Sequence, residues 1–103
     1  MIRVNCSESD GHITHLEVRG HADYAAHGED LVCAGVSSIM FGLCNALDEI
    51  AGIETIKADQ NLITVHILKP DQTTDTIMRT GLIQLMTVEE QYSQFIKIQL
   101  TEE

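Results

Sequence analysis

Apolar residues recur at every second position in some segments of this chain and at every third or fourth position in others. A period of two is typical of a strand with one buried face, and a period of about 3.6 is typical of a helix with one buried side. The shorter period occurs over five segments and the longer one over two, in the order ββαββαβ. This order is typical of an α+β fold in two layers, with two helices packed on a mixed or mostly antiparallel sheet.

The first two predicted strands form a hairpin. An Asp10-Gly11 pair separates them, and such a pair between two alternating segments favours a tight two-residue turn. The other three strands are predicted over residues 53–59, 62–68 and 93–101, with a turn at Gln60-Asn61 between the third and the fourth. The predicted inward faces carry Ile2, Val4 and Cys6 in the first strand, Thr14, Leu16 and Val18 in the second, and Ile63, Val65 and Ile67 in the fourth.

Two helices are predicted, one over residues 31–51 and one from Asp71 to about Gln91. Asp30 is placed to cap the first helix, and Gly52 stands where a glycine often ends a helix. The first helix is apolar over much of its circumference, so it is expected to lie deep against the sheet. The predicted buried residues are Val32, Val36, Ile39, Leu43, Leu47 and Ile50 in the first helix and Ile77, Gly81, Leu82, Leu85 and Met86 in the second.

A chain of 103 residues closes one hydrophobic core, so a single domain spanning residues 1–103 is predicted. Its uninterrupted apolar runs are far shorter than the roughly 18 residues of a membrane span, and its N-terminal segment lacks the pattern of a signal peptide. A cytoplasmic protein without membrane contact is therefore expected.

Six Lys and Arg against sixteen Asp and Glu give a net charge of −10, and six scattered cations predict no nucleic-acid binding. The acidity serves either solubility or the attraction of a basic partner.

Residues able to do chemistry are concentrated between Gly20 and Ser38. His21 falls where the second strand ends and Cys33 falls in the first turn of the helix that follows, and these two points can lie at one edge of a domain. Free N–H groups and the positive end of the helix dipole stabilise a thiolate there and can hold a developing oxyanion. A histidine beside the thiol can take its proton and later deliver it to a leaving amine. Cys33 and His21 are therefore a candidate nucleophile and base, while a merely buried Cys33 and a base at His27 remain alternatives.

Two other side chains of this stretch have more than one interpretation. Asp30 either only caps the helix or also orients His21, and Ser37 bonds either the backbone or the catalytic pair. A zinc site of His21, His27 and Cys33 matches no familiar zinc spacing, so neither a metal nor a cofactor is expected.

The loop between the second strand and the first helix is predicted to contact a substrate. Its residues are small or polar and show no apolar periodicity, and Gly20 and Gly28 give backbone freedom near its two ends. We therefore expect it to be mobile in the free protein and to close over an extended peptide. The residues assigned to this loop are Ala22, Asp23, Tyr24, Ala25, Ala26, His27, Gly28 and Glu29.

The remaining cysteines and histidines are given structural interpretations. Cys6 and Cys44 are predicted to lie in the core. Structural disulfides are not expected, because the three cysteines form no C-x-x-C pair and the chain has no secretory pattern. Three histidines are predicted to be solvated or hydrogen-bonded in turns and strands: His12, His15 and His66.

The stretch after the second strand resembles the signature of the ribosomal-processing cysteine proteases. The resemblance is carried by Gly20-His21-Ala22, Tyr24, Gly28, Asp30-Leu31-Val32-Cys33-Ala34 and Val36-Ser37, and it extends through KADQNLITVHI and GLIQLMTVEEQY over essentially the whole chain. Leu31 stands where this family often has isoleucine, which leaves the chemistry unaffected.

This resemblance implies a small homodimeric bacterial enzyme that removes the N-terminal extension of a large-subunit ribosomal protein. It implies that Cys33 is the nucleophile and His21 the proton donor. An acidic loop carrying Asp23, Glu29 and Asp30 would attract such a basic substrate. The alternatives are a non-catalytic module that binds a basic ribosomal protein or an assembly factor, and a redox-sensing thiol protein.

Overall fold

The computed structural model describes residues 1–20, 29–53, 56–58 and 62–103. These residues form β1 (Ile2–Ser9), β2 (His12–Arg19), α1 (Glu29–Ala51), β3 (Ile56–Ala58), β4 (Leu62–His66), α2 (Gln72–Gln91) and β5 (Ile96–Glu102). The predicted order ββαββαβ is confirmed. The third and fourth strands are shorter than predicted and the fifth begins later, while the predicted turn at Gln60-Asn61 lies outside the described residues.

The sheet is mixed, with the strand order β3-β4-β2-β1-β5. The pairs β3–β4, β4–β2 and β2–β1 are antiparallel, and β5 runs parallel to β1 at one edge. A single cluster of buried side chains joins the inner face of the sheet to both helices, which gives the two-layer α+β architecture that the order predicts.

The hairpin of β1 and β2 contains an irregularity that the alternation did not predict. Asp10 and Gly11 both have positive φ, 52° and 80°, which is the turn that an Asp-Gly pair favours. The register then shifts, because Ser7 pairs with His15 and Glu8 with Ile13. Thr14 is the extra residue of this bulge, so Ile13 is fully buried and Thr14 is only half-buried, against the prediction for Thr14.

The C-terminal end of α1 and the N-cap of α2 were predicted correctly, and the buried sides of the two helices less well. Gly52 has φ 67° and its N–H bonds the carbonyl of Asp48, which ends α1 as predicted. Asp71 caps α2 by accepting from the N–H of Thr74 at 2.8 Å. Two predicted core residues are exposed, Ile50 by 66% and Met86 by 43%, and two residues left out of the prediction, Met40 and Met78, are fully buried.

The exposed positions on α1 show that the sheet covers only part of its apolar circumference. Phe41 and Ile50 face solvent, whereas Val32, Met40 and Leu47 are in the core. Over Leu31–Ala51 this is the one helix in the described part of the chain with the length and mean hydropathy, 1.6, of a membrane span, a test that core helices of soluble proteins also meet.

A buried carboxylate ties α2 to the bulged hairpin. Asp75 accepts a hydrogen bond from the Ile13 N–H at 2.8 Å and another from Arg79 at 3.0 Å, and Arg79 also pairs with Glu8. Desolvation is the largest single influence on Asp75 and raises its pKa, but the hydrogen bonds from Arg79 and from the Ile13 N–H together lower this pKa below its ordinary value. Asp75 is therefore a charged anchor at the N-terminal end of α2.

Candidate active site

Cys33 lies near the N-terminal end of α1. The helix begins at Glu29, so Cys33 is its fifth residue, directly after the four whose N–H groups have no partner within the helix. The predictions of Cys33 in the first turn and of Asp30 as the N-cap are therefore wrong, because α1 begins two residues earlier than predicted and Asp30 lies inside it. The two acidic residues at this end explain the earlier start, since negative charge is favourable at a helix N-terminus.

A small cavity of about 20 Å³ brings the end of β2 and the start of α1 together. From β2 and the residue after it come Val18 and Gly20, and from α1 come Cys33 and Ser37. The rest of the lining is apolar and comprises Ile2, Val36, Leu62 and Ile63. The expectation that these two chain segments meet at one edge of the domain is thus confirmed for Gly20 and Cys33.

Gly20 occupies a position that only glycine can take without strain. Its φ is 96°, in the region that L side chains rarely adopt. A Cβ atom at this position would lie 2.6 Å from the carbonyl oxygen of Met1. The close approach of the two backbones therefore requires glycine at the point where the chain leaves β2 toward His21.

The residues between Gly20 and Glu29 lie outside the described part of the chain. His21, the predicted base, is among them, as are the loop residues 22–28 and the competing His27. The side chains of Glu29 and Asp30 are also outside it, so their predicted contacts with the substrate and with His21 stay predictions.

The two other cysteines are poor candidates for the nucleophile. All three thiols are free, and Cys6 is buried in the core as predicted. Burial, with a smaller contribution from Glu8, raises the pKa of the Cys6 thiol to about 11. Burial also raises the pKa of Cys44, which packs against the core. A thiol with a raised pKa supplies little thiolate at neutral pH, so the cavity-lining Cys33 is left as the candidate.

The histidines that the structure describes lie away from this cavity. His15 and His66 pair directly across β2 and β4, with their ring centroids 5.9 Å apart, and His15 lies 3.6 Å from Glu17. This agrees with their predicted solvated or hydrogen-bonded state. Within the described ranges no group of three His, Cys, Asp or Glu side chains is arranged to hold a metal ion.

Sequence reasoning missed the apolar side of the site. Ile2 at the start of β1 and Leu62 and Ile63 on β4 line the cavity beside Cys33. Alternation in the sequence marks Ile2 and Ile63 as inward-facing, but it does not show which inward residues lie at the end of the sheet near α1. That information is in the strand register, where Leu62 pairs with Arg19 and so lies next to Gly20.

A thiol that lines a cavity near the start of a helix is a feature of cysteine proteases. Comparison with known proteins shows that the chain belongs to this class of enzyme. The family model described as cysteine protease Prp matches residues 1–97. A ribosomal processing cysteine protease Prp of Staphylococcus aureus is 36% identical over 103 residues, which cover 95% of this chain and 97% of the relative. The chain belongs to the Prp family of cysteine proteases.

Solved structures agree with this assignment. The S. aureus protease Prp in complex with a substrate peptide has a TM-score of 0.80 and 30% identity, covering 97% of this chain and 99% of that one. A Streptococcus mutans protein superposes with a TM-score of 0.90 over 100% of this chain and 96% of its own, but at 22% identity this likeness shows the fold alone. Family membership favours the protease over the non-catalytic module and the redox sensor.

Proposed function

We propose that Cys33 is the nucleophile and His21 the proton donor and base of this protease. One observation carries the proposal: Cys33 lines the same cavity as Gly20, the residue directly before His21. Ser37, one turn after Cys33, lines this cavity too, which supports a proposed role beside the pair. Asp30 is proposed as the residue that orients His21.

The proposed reaction follows from the chemistry of a thiol beside an imidazole. His21 takes the proton of Cys33, and the thiolate attacks the scissile carbonyl carbon to form a C–S bond and an oxyanion. When the C–N bond breaks, the imidazolium gives its proton to the departing amine, leaving a thioester on Cys33. His21 then takes a proton from water, and the hydroxide attacks the thioester carbonyl carbon. When the C–S bond breaks, the imidazolium returns the proton to the Cys33 sulfur and the acid product leaves.

We further propose that the substrate is a basic ribosomal protein of the large subunit, cut to remove an N-terminal extension. The support is the name of the S. aureus relative, a ribosomal processing protease, and the crystal structures of that relative with substrate and covalently linked product peptides. The net charge of −10 suits a cationic substrate. The loop of residues 22–29 is proposed to bind this peptide. A cytoplasmic location is proposed for the protein, since that is where a ribosomal substrate would be met.

A homodimer is the proposed assembly, formed through the outer face of the helix layer. A groove of about 450 Å³ runs between α1 and α2, and its lining includes Leu43, Ile50 and Ile77. Large apolar side chains exposed on the same two helices extend this surface: Leu31, Phe41, Ile83 and Met86. Exposed apolar surface of this kind marks an interface. Sedimentation equilibrium is expected to give twice the chain mass of 11.4 kDa, and a monomer at micromolar concentration would contradict the proposal.

The nucleophile is tested by a matched pair of cysteine variants. Cys33→Ser and Cys33→Ala are expected to lose cleavage of a basic peptide with a short apolar N-terminal extension by at least about a thousandfold, because removing a catalytic nucleophile leaves only residual catalysis. Cys44→Ala serves as the control on the same helix. It should keep most of the activity and lose at most about 1 kcal/mol of stability through a small cavity. A Cys33→Ala protein that cleaves at a comparable rate would refute the assignment.

A further inference from the structure

The face of the sheet that points away from the helices gathers most of the cations of the chain. Strand register determines which residues share this face. Arg3 of β1 lies opposite Arg19 of β2 on one side and opposite Lys97 of β5 on the other, which makes a row across three strands. Lys57 of β3 lies one row further along, opposite Thr64 of β4. Four of the six Lys and Arg residues are therefore on one face, which we call the open sheet face.

Acidic residues are nearly absent from the same surface. We consider residues 3–7 of β1 together with the described residues that align with them on β2, β4 and β5. Of the sixteen Asp and Glu residues of the chain, only one lies in this region with its side chain on the open sheet face. It is Glu17, which is bound to Arg19 at 2.8 Å. The other outward residues are mostly neutral hydrogen-bonding groups: Asn5, Ser7, His15, Thr64, His66, Gln99 and Thr101. An acidic protein thus has one basic, polar face.

The cations of this face are exposed, and two of them line a groove. Arg3, Lys57 and Lys97 are exposed, and none of them is in an ion pair with a described residue. Between β1 and β5 lies a groove of about 220 Å³ lined by Arg3, Asn5, Lys97 and Gln99. Guanidinium, ammonium and amide N–H donors in one concave surface are the groups that bind phosphate oxygens.

We propose that the open sheet face binds the phosphate backbone of RNA without reading its sequence. The row of cations lies on adjacent strands about 5 Å apart and so presents a line of positive charge to a continuous polyanion. The described residues of this face include no Phe, Tyr or Trp on which bases stack, so binding is to the backbone alone. The remainder of the chain, with fifteen acids and two cations, repels phosphate and confines the contact to this face.

The sequence-based expectation of no nucleic-acid binding rested on six scattered cations, and the strand register shows that four of them are not scattered. The choice of RNA over DNA rests on the proposed ribosomal substrate, which is a protein that resides beside RNA. The binding surface is separate from Cys33, because Cys33 lies on α1, which packs on the other face of the sheet, and of the strand residues that line its cavity only Leu62, opposite Arg19, shares the register of the open sheet face.

The test is the fluorescence anisotropy of a labelled oligouridine RNA titrated with the full chain between about 25 and 150 mM salt. Arg3, Lys57 and Lys97, the three cations of the face without an ion pair to a described residue, predict three phosphate contacts and a slope of log K against log salt of about −2.1, at about −0.7 for each contact on a single strand. The double variant Arg3→Glu/Lys97→Glu is expected to bind at least tenfold more weakly and with about a third of this slope. Lys69→Glu is the matched control, an exposed cation outside the face, and should change affinity less than twofold.

Several outcomes would overturn the proposal. These are no binding at the lowest salt, an equal loss with Lys69→Glu, tighter binding of a deoxyuridine strand of equal length, or tighter binding of polyglutamate. A change of oligomeric state in the double variant would instead identify a second copy of the chain as the partner.

Circular dichroism checks that the double variant is folded, and Arg3→Gln/Lys97→Gln removes the two positive charges without introducing negative ones. Cleavage of a free peptide should be unaffected in these variants, so failure of RNA binding is distinguishable from failure of the proposed catalytic pair.

Discussion

Gly20→Ala adds one methyl group where two separate features of the structure oppose it. The φ of 96° places an alanine in a sparsely populated backbone region, which costs about 1–3 kcal/mol. The added Cβ would also lie 2.6 Å from the Met1 carbonyl oxygen, and a backbone atom cannot rotate away as a flexible side chain can. Because both effects act together, we expect a loss of about 2–4 kcal/mol in the free energy of unfolding.

Gly11→Ala is the matched control for this prediction. Gly11 has a similar φ of 80° but no atom within 4 Å of an added Cβ, so it should show the backbone cost alone, about 1–2 kcal/mol. Urea unfolding with linear extrapolation measures both losses, and the difference between them isolates the close approach of Met1. A Gly20→Ala protein that loses no more stability than Gly11→Ala would refute the packing argument.

Activity gives a second measurement on the same two variants. Relieving the overlap at residue 20 must move the end of β2 away from β1, and His21 follows directly. Peptide cleavage by folded Gly20→Ala should therefore fall well below that of Gly11→Ala, by a factor that can exceed about a hundredfold if the catalytic pair is displaced by roughly 1 Å. Full activity in the folded variant would show that Gly20 does not position the site.

Two further predictions concern titratable residues. His21→Ala should slow alkylation of the nucleophilic thiol by iodoacetamide at neutral pH and His27→Ala should slow it much less, so equal effects would show that the wrong histidine has been chosen. Because the pKa of Asp75 is lowered in the folded protein, its contribution to stability is present above the ordinary value of 3.8 and is lost as the pH falls through the folded-state pKa. Asp75→Asn should cost about 2 kcal/mol at pH 7 and flatten the acid branch of stability against pH, and an unchanged acid branch would contradict this.

The order of the elements could be predicted because each period is a local property of the chain. The Asp10-Gly11 turn, the Asp71 cap and the Gly52 terminus are local as well, and the structure confirms all three. The bulge at Thr14 could not be predicted, because it depends on a non-local contact: the N–H of Ile13 bonds a carboxylate 62 residues away, on α2.

The candidate site was only partly accessible from the sequence for the same reason. Cys33 was identified from its neighbours in the chain. The need for glycine at position 20 was expected on grounds of backbone freedom, whereas the structure shows that the carbonyl of Met1 excludes a side chain there. The open sheet face was missed because Arg3, Lys57 and Lys97 are far apart in sequence and come together only through strand pairing.

The burial pattern of α1 explains how a small domain holds a reactive thiol firmly at its edge. Val32 and Val36 are almost fully buried and lie four residues apart, on the side of the helix that packs against the sheet. Cys33 and Ser37 each follow one of these valines, so they are turned by about 100° from the buried residues and stand at the border between core and solvent. They are half-buried there, and they share the cavity with Val36. The packing that secures this end of α1 therefore also sets the direction of the thiol, and a nucleophile on a packed helix is held more firmly than one on a loop.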